Sequence, residues 1–316
     1  MNISAWLFRT GILILVTCHT HAQDFPIKPI RIIASEPGGG QDFIARLLAQ
    51  GIPGSLGQPV IVENRPSSIS VEMVAKAAPD GYTLLLSGSS FTATPLLRET
   101  PFDPIRDFSP VVAVDRAPSL LVVHAALPVK SVKELIALVK ARPGELNYSM
   151  GIIGSSPHLA AELFKFMTNV NMVGIPYKGS APAITDLMGG QTQLMFPTAG
   201  AVAPHVRSGR LRALAVTTLE PSALAPGLPT VASSGLADYE VQAIHGVIAP
   251  AKTPTAVIRR LNQAIVRYVN QIDVKQKFFD AGVESVGSSP EEYADKIKAE
   301  LARMGKVIRS AGIRAQ

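Results

Sequence analysis

The sequence predicts an α/β fold in which two mainly parallel sheets are flanked by helices. Short apolar runs alternate with segments of helical periodicity along most of the chain, and this alternation is typical of parallel sheets with helices on both faces. The runs are apolar at nearly every position, as in strands that are buried on both faces. The 316 residues also suit two domains of ordinary size.

The first predicted unit is a strand, a glycine turn and a helix. Residues 30–33, Ile-Arg-Ile-Ile, predict the strand, and a helical apolar pattern begins at Phe43. Between them, residues 36–42 are Glu-Pro-Gly-Gly-Gly-Gln-Asp. Glycines let the backbone approach a ligand, and the free N–H groups of a helix start attract anions. The turn therefore predicts an anion site, although a tight turn without a ligand fits the same residues, which match neither nucleotide-binding motif.

Further apolar runs, each followed by a polar turn, continue the alternation along the chain. Apolar runs predict strands at residues 60–63, 82–86, 111–114, 120–123, 146–149, 194–196, 211–216 and 241–249. Ser87 and Ser89 lie where one of these strands ends. Because ligands bind beyond the carboxyl ends of strands in such sheets, both are candidate ligand-binding residues, with a solvated serine loop as the alternative.

The turn at residues 151–158, Gly-Ile-Ile-Gly-Ser-Ser-Pro-His, repeats the arrangement of the first one. Pro157 is typical of a first helical turn, and Ser156 stands at the N-cap position. If this helix start faces the first one across a cleft, two sets of free N–H groups would hold one carboxylate. The candidate residues here are Gly154, Ser155 and Ser156.

Two other helix starts carry the pattern of a capping box. Ser131 precedes Glu134, and Ser289 precedes Glu292, each by three residues. This spacing lets each side chain satisfy a backbone N–H group of the other residue.

The N-terminus predicts a secretory signal over residues 1–22. Arg9 precedes an apolar run at residues 11–16, and small residues up to Ala22 fit a cleavage site. The alternative is a lipoprotein cleavage box that ends at Cys18. Cleavage after Ala22 would remove the single cysteine of the chain, so neither disulfides nor thiol chemistry are expected in the mature protein.

The net charge of +6 favours the approach of an anionic solute, and the distribution of the charges argues against nucleic acid. Lys and Arg are scattered, without a basic run that is interleaved with aromatic residues, so a solvated basic surface is expected. No Gly-x-Ser-x-Gly elbow occurs, and the histidines lack metal-ligand spacing. The alternative to a binding function is a hydrolase or acyl-transfer enzyme that uses Ser155 or Ser156 with His158.

Ordered blocks over nearly the whole mature chain resemble one family. They are residues 28–33, Lys-Pro-Ile-Arg-Ile-Ile; 37–42, Pro-Gly-Gly-Gly-Gln-Asp; 56–60, Leu-Gly-Gln-Pro-Val; 63–66, Glu-Asn-Arg-Pro; 79–83, Pro-Asp-Gly-Tyr-Thr; 154–159, Gly-Ser-Ser-Pro-His-Leu; 176–183, Pro-Tyr-Lys-Gly-Ser-Ala-Pro-Ala; 211–216, Leu-Arg-Ala-Leu-Ala-Val; and 249–254, Ala-Pro-Ala-Lys-Thr-Pro. In this order they resemble the extracytoplasmic solute receptors of tripartite tricarboxylate transporters, the Bug-type receptors.

The resemblance implies a two-lobed type II periplasmic-binding-protein fold with a cleft and a hinge between the lobes. It implies that the chain crosses between lobes twice, near residues 120–123 and 243–246. The expected division is residues 23–121 plus 245–316 for lobe 1 and residues 122–244 for lobe 2.

In that family, the loop after the first strand and the equivalent loop of the other lobe hold a ligand carboxylate. Tyr177 matches the family's Tyr-Lys-Gly block at the cleft edge. The candidate ligand-binding residues are therefore Gly38, Gly39, Gly40, Asp42, Ser87, Ser89, Gly154, Ser155, Ser156 and Tyr177. Glu36 and Pro197 depart from the family pattern and leave the identity of the ligand open.

The expected function is that of a non-catalytic periplasmic receptor. It would capture a small carboxylate and deliver it to a permease of the tripartite tricarboxylate type or to a signalling partner. It is expected to act as a monomer, without a cofactor, a metal or nucleic acid.

Overall fold

The computed structural model describes residues 25–35, 37, 40–151, 155–177 and 179–313. The expected signal of residues 1–22 lies outside them. The strands are β1 (Ile30–Ala34), β2 (Val60–Asn64), β3 (Thr83–Ser87), β4 (Phe108–Pro118), β5 (Leu120–His124), β6 (Asn147–Met150), β7 (Val173–Pro176), β8 (Leu194–Met195), β9 (Leu211–Val216), β10 (Gln242–Pro250) and β11 (Glu284–Ser285). The helices are α1 (Gly40–Gly51), α2 (Pro53–Leu56), α3 (Ser67–Ala75), α4 (Ser89–Leu97), α5 (Val132–Ala141), α6 (Ser156–Thr168), α7 (Ser180–Met188), α8 (Ala199–Arg207), α9 (Thr255–Val269), α10 (Ile272–Asp280) and α11 (Pro290–Ala311).

The strands form two mixed sheets. The six-stranded sheet has the order β11-β4-β10-β3-β1-β2, and the five-stranded sheet has the order β7-β6-β8-β5-β9. β1 and β6 pair in parallel with both of their neighbours. The predicted α/β class is confirmed. The pairing is more mixed than the sequence indicates. Three strands run antiparallel to their neighbours, namely β4, β5 and β10. These are the strands that lead into or out of a crossing between the sheets.

Apolar strands of the six-stranded sheet are buried on both faces. Ile32 and Leu84 lie in one cluster with residues of α1 and α9. Ile33 and Leu85 lie in another, with residues of α3, α4 and α11. Consecutive side chains of a strand point to opposite faces, so helices on both sides require an apolar residue at almost every position.

The long helix α11 packs against both sheets. Tyr293 and Ile297 belong to a cluster of the six-stranded sheet, whereas Met304 and Val307 belong to the main cluster of the five-stranded sheet. The helix thus connects the two halves with apolar contacts. Within the described ranges, no helix combines the length and the apolar content that crossing a bilayer requires.

One of the two predicted capping boxes is complete. At the start of α11, Ser289 and Glu292 each accept from the backbone N–H group of the other residue. At the start of α5, the Ser131 hydroxyl accepts from Glu134 N at 3.2 Å. The Glu134 carboxylate instead accepts from Lys130 N at 2.7 Å, one residue before the cap, so this box is only half formed.

The segments that pass between the sheets are tied together by Thr217. The chain leaves the six-stranded sheet at Ser119 and returns to it after Val241. The Thr217 hydroxyl accepts from Ser119 N at 3.1 Å and donates to Val241 O at 2.5 Å. The expected lobe boundaries at 121/122 and 244/245 fall inside β5 and β10, a few residues from these contacts, and the division into lobes stays a prediction.

We expect Thr217→Val to lower the free energy of unfolding by roughly 1–3 kcal/mol, because the buried Ser119 N–H and Val241 carbonyl groups lose their partner. Urea denaturation provides the measurement. Thr185→Val on α7 is the matched control, since that hydroxyl bonds only within an exposed helical turn, and it should change the stability by less than about 0.5 kcal/mol. Equal effects of the two substitutions would contradict the role of Thr217.

Candidate functional site

The starts of α1 and α4 meet at one edge of the six-stranded sheet. β1 and β3 are parallel neighbours, so their carboxyl ends lie together, and α1 and α4 begin just beyond them. A Cβ atom at Gly88 would lie 2.5 Å from Gln41 Nε2 and 3.2 Å from His245 Cδ2. Gly88, whose φ of −147° is extended, is therefore a glycine because these side chains approach it closely.

Asp42 lies in the first turn of α1 and is almost completely buried. Its Oδ2 accepts from Arg46 Nε at 3.0 Å, and its Oδ1 accepts from Asn64 Nδ2 at 2.9 Å. Asn64 Nδ2 also donates to Ser35 O at 2.6 Å. Through Asn64, these contacts join the first turn of α1 to Ser35 just after β1, and direct ligand binding by Asp42 stays a prediction.

The two candidate serines beyond β3 have different surroundings. The Ser87 hydroxyl is buried, donates to Gly246 O at 2.9 Å and lies 2.6 Å from Tyr293 Oη. These contacts hold β3 against β10 and α11. Ser89 is the first residue of α4 and lines a pocket. The structure thus favours Ser89 over Ser87 as a residue that contacts a ligand.

The start of α6 presents two buried hydroxyl groups. Ser155, rather than the predicted Ser156, occupies the N-cap position, and its side chain makes no capping hydrogen bond. The hydroxyl oxygens of Ser155 and Ser156 are buried and have no hydrogen-bond partner within the described part of the chain. An unsatisfied buried hydroxyl costs about 1–3 kcal/mol, which a polar ligand or an ordered water at this helix start would offset.

Ser89 and Ser156 line the same pocket. α4 follows a strand of the six-stranded sheet, and α6 follows a strand of the five-stranded sheet. Helix starts from opposite halves therefore face a common space, as the sequence leads one to expect for α1 and α6. The placement of one carboxylate between α1 and α6 stays a prediction, since among the described residues the shared pocket joins α4 to α6.

Charged residues form the other wall of this pocket. Arg303 Nη1 donates to Glu240 Oε2 at 2.8 Å, and Glu300 lies beside them. Burial is the main cause that raises the pKa of Glu300, and the charge of Glu240 raises it as well. The charge of Arg303 and a hydrogen bond with Thr92 lower it. The net result is a pKa of about 7. Glu300 therefore binds a proton near neutral pH.

We expect Glu300→Gln to flatten the pH dependence of stability between about pH 5 and 8. The folded pKa of Glu300, about 7, exceeds its ordinary value of 4.5. The proton on Glu300 therefore contributes stability below the pKa of the unfolded state, and this contribution is lost as the pH rises through the pKa of the folded state. Relative to the variant, the wild type should lose roughly 1–3 kcal/mol of unfolding free energy over this interval.

Thermal unfolding at a series of pH values measures the difference. The control is Glu145→Gln, because Glu145 is exposed. Parallel curves of stability against pH for the wild type and Glu300→Gln would contradict the raised pKa of Glu300.

His245, which the sequence did not single out, lies at the starts of α1 and α4. Its Nδ1 atom is 2.9 Å from Asp115 Oδ2, and Asp115 is completely buried. A Cβ atom at Gly40 would lie 3.9 Å from His245 Nε2. Spacing along the chain gives no sign of this contact, because His245 and Asp115 are 130 residues apart.

Some predicted site residues lie elsewhere or outside the described residues. The Tyr177 hydroxyl donates to Asp186 Oδ2 at 2.7 Å, and its ring packs against an apolar cluster of the five-stranded sheet. Burial, together with this contact with Asp186, raises the pKa of Tyr177 to about 12. Gly38, Gly39 and Gly154 lie outside the described residues, as does Glu36, and the predicted roles of all these residues stay predictions.

The geometry around His158 does not favour acyl transfer. His158 is buried on α6, and burial is the main cause that lowers its pKa. The hydroxyl groups of Ser155 and Ser156 make no hydrogen bond in the described residues, whereas a serine nucleophile needs a bond to its base. Within the same residues, no group of three or more His, Cys, Asp or Glu side chains is placed to hold a metal.

Comparison with known proteins identifies the family. A family model described as "Tripartite tricarboxylate transporter family receptor" matches residues 44–313. The chain belongs to this family. It is 37% identical over 322 residues to Protein BugT of Bordetella pertussis, and the alignment covers 99% of each chain. The resemblance stated from the sequence is confirmed, and the members of this family are solute-binding receptors rather than enzymes.

Solved structures of related proteins have the same two-lobed fold. An R. palustris protein solved with adipate is 37% identical, with a TM-score of 0.76, and the match covers 92% of this receptor and 99% of that chain. MatC from Rhodopseudomonas palustris, solved with bound malate, is 28% identical, with a TM-score of 0.73 and coverage of 90% and 100%. Related receptors thus contain small carboxylates.

Proposed function

We propose that this receptor captures a small carboxylate between its two sheets and delivers it to a tripartite tricarboxylate-type permease or a signalling partner. The observation that carries the proposal is that Ser89 and Ser156, at helix starts from opposite halves, line one small space. This space holds about one water molecule, so binding requires the two halves to move apart. The adipate and malate in the two related structures support a carboxylate as the class of ligand.

The pocket suits an anion although two carboxyl groups line it, because Glu240 is paired with Arg303 and Glu300 binds a proton near neutral pH. The starts of α4 and α6 present backbone N–H groups with the positive ends of two helix dipoles behind them. The hydroxyls of Ser155 and Ser156, which have no partner in the described parts of the chain, are additional donors. A hydrogen bond to a charged group contributes about 1.5–3 kcal/mol, so a few such bonds are enough for micromolar affinity. The net charge of +6 also favours the approach of an anionic solute.

We propose a periplasmic monomer. One chain supplies the helix starts on both sides of the pocket, so a second copy is not needed to complete it. The apolar N-terminal segment with Arg9 before it supports export through a cleaved signal over residues 1–22.

We expect calorimetry with acetate, malate, adipate and citrate to detect at least one ligand at micromolar affinity, and we expect Gly88→Ala to weaken its binding at least about tenfold. The added methyl group would meet Gln41 Nε2 at 2.5 Å and His245 Cδ2 at 3.2 Å, and it would therefore displace side chains at the starts of α1 and α4. The control is Gly54→Ala, because a Cβ atom there meets no atom within 4 Å.

Equal affinities of the two alanine variants would contradict the location of the site. A wild-type protein that binds none of the four acids would contradict the function. A thermal shift gives an independent reading, since a ligand at about 100 times its dissociation constant adds about 2.7 kcal/mol of stability.

Mass spectrometry of the protein secreted by a Gram-negative host tests the location. We expect a mature chain that begins at Gln23, because the small residues up to Ala22 fit signal-peptide cleavage. A lipid-modified N-terminal Cys18 would show lipoprotein processing instead. An intact Met1 in the cytoplasmic fraction would contradict export.

A further inference from the structure

His245 is oriented by a buried carboxylate. It lies on β10 directly opposite Asp115 on β4, and its Nδ1 atom donates to Asp115 Oδ2 at 2.9 Å. A carboxylate accepts hydrogen bonds, so this contact places a proton on Nδ1 and directs Nε2 away from β4. Asp115 is completely buried, and its Oδ1 has no hydrogen-bond partner among the described residues. Among the described residues, the partner of the Asp115 carboxylate is therefore His245.

The free edge of the imidazole faces the starts of α1 and α4. A Cβ atom at Gly40 would lie 3.7 Å from His245 Cε1 and 3.9 Å from Nε2, and a Cβ atom at Gly88 would lie 3.2 Å from Cδ2. At Gly40 the missing side chain leaves the ring uncovered, whereas the space beside Gly88 is shared with the Gln41 side chain, whose Nε2 would lie 2.5 Å from the added Cβ atom. The side chain of His245 is 14% exposed, and no described residue hydrogen-bonds its Nε2 atom.

Burial alone would lower the pKa of His245, but the charge of Asp115 and its hydrogen bond outweigh burial, so the pKa lies above its ordinary value. The other titratable groups on the elements packed around the ring have partners of their own. Asp42 on α1 accepts from Arg46 and Asn64, Glu284 on β11 from Arg116 and Ser222, and Tyr293 on α11 lies 2.6 Å from the Ser87 hydroxyl. Glu300 on α11 interacts with Arg303 and Thr92, but its pKa of about 7 lies within the range of the test. The pH profiles below are therefore compared in the Glu300→Gln background, where this titration is removed. Among the described residues, Asp115 is the charged group that hydrogen-bonds the ring.

We propose that His245 is a ligand-binding residue that, as an imidazolium, donates from Nε2 to an anionic group of the ligand at the starts of α1 and α4, with Asp115 as its positioning residue. This inference rests on the proposed function and deepens it by adding a full positive charge to the partial charges of the helix starts. It makes affinity dependent on pH. Because only the protonated ring donates from Nε2 while Nδ1 donates to Asp115, binding of the carboxylate and of this proton reinforce each other.

The test is the dissociation constant from about pH 5.5 to 8.5, corrected at each pH for the fraction of the ligand whose own carboxyl groups are protonated. The probe is the tightest binder among acetate, malate, adipate and citrate. We expect the wild-type affinity to fall about tenfold over this range. His245→Asn keeps a donor to Asp115 and loses Nε2, so it should bind roughly 10- to 100-fold more weakly at pH ~5.5, with a flat profile.

Two further variants separate charge from hydrogen bonding. His245→Gln places a neutral N–H donor near the position of Nε2, so it should bind with intermediate affinity and a flat profile. His205→Asn is the matched control, because His205 lies on α8 and contacts Arg210, and it should keep the wild-type profile. A wild-type profile for His245→Asn would overturn the inference and leave the proposed function intact.

Proton uptake provides a second measurement. Calorimetry at pH ~7 in buffers of different ionisation enthalpy should show a fraction of a proton taken up for each ligand bound, since the ligand raises the pKa of His245 further. The uptake should persist in Glu300→Gln, which lacks the carboxyl group that also titrates near pH 7. Binding without proton uptake at any pH between about 6 and 8 would overturn the role of His245. A protein that binds none of the four acids would overturn the proposed function and this inference together.

Discussion

The structure depends on the hydrogen bonds that join the segments passing between the two sheets. Thr217 contacts both Ser119 and Val241, and these residues lead directly into β5 and β10. Apolar contacts such as those of α11 are not directional, whereas hydrogen bonds fix the relative position of backbone segments. The crossing therefore determines how the strand ends of one sheet lie relative to those of the other. Pro197, a departure from the family pattern, takes part in it, since its carbonyl accepts from Leu120 N at 2.8 Å.

The fixed strand ends place several positive partial charges together. Two aspartates lie close to this region, yet each is occupied by donors: Asp42 by Arg46 and Asn64, and Asp115 by His245. A buried carboxylate is costly unless it is paired in this way. Because the two carboxylates are compensated, the helix starts retain their attraction for an anion. Buried acidic residues thus orient the site without reversing its sign.

The family and the ligand are determined by different parts of the chain. Membership rests on a match over residues 44–313, a range that contains most of the strands and helices. On our proposals, selection among carboxylates depends on a few side chains at the helix starts. Ser89 and Ser156 line the pocket, and His245 lies beside the starts of α1 and α4. Related receptors solved with adipate and with malate illustrate that one fold accommodates acids of different length and polarity.

By itself, the sequence determined the main strands, the helices with clear caps and the glycine and serine turns, because hydrophobic period and capping act over a few residues. It missed the two-residue strand β11 and the start of α4, where no amphipathic pattern or N-cap side chain marks the helix. Ordered motifs also identified the family and, with it, the class of fold.

Only the tertiary structure decided which turns share a pocket and which candidate residues turn inward. Ser87 binds Gly246 and Tyr293, and His245 meets Asp115 through the register of β10 with β4. These contacts join residues more than 100 positions apart. Local periodicity records which face of a strand is apolar but carries no information on which strand lies beside it, and that is the physical reason why the site is encoded only in the folded chain.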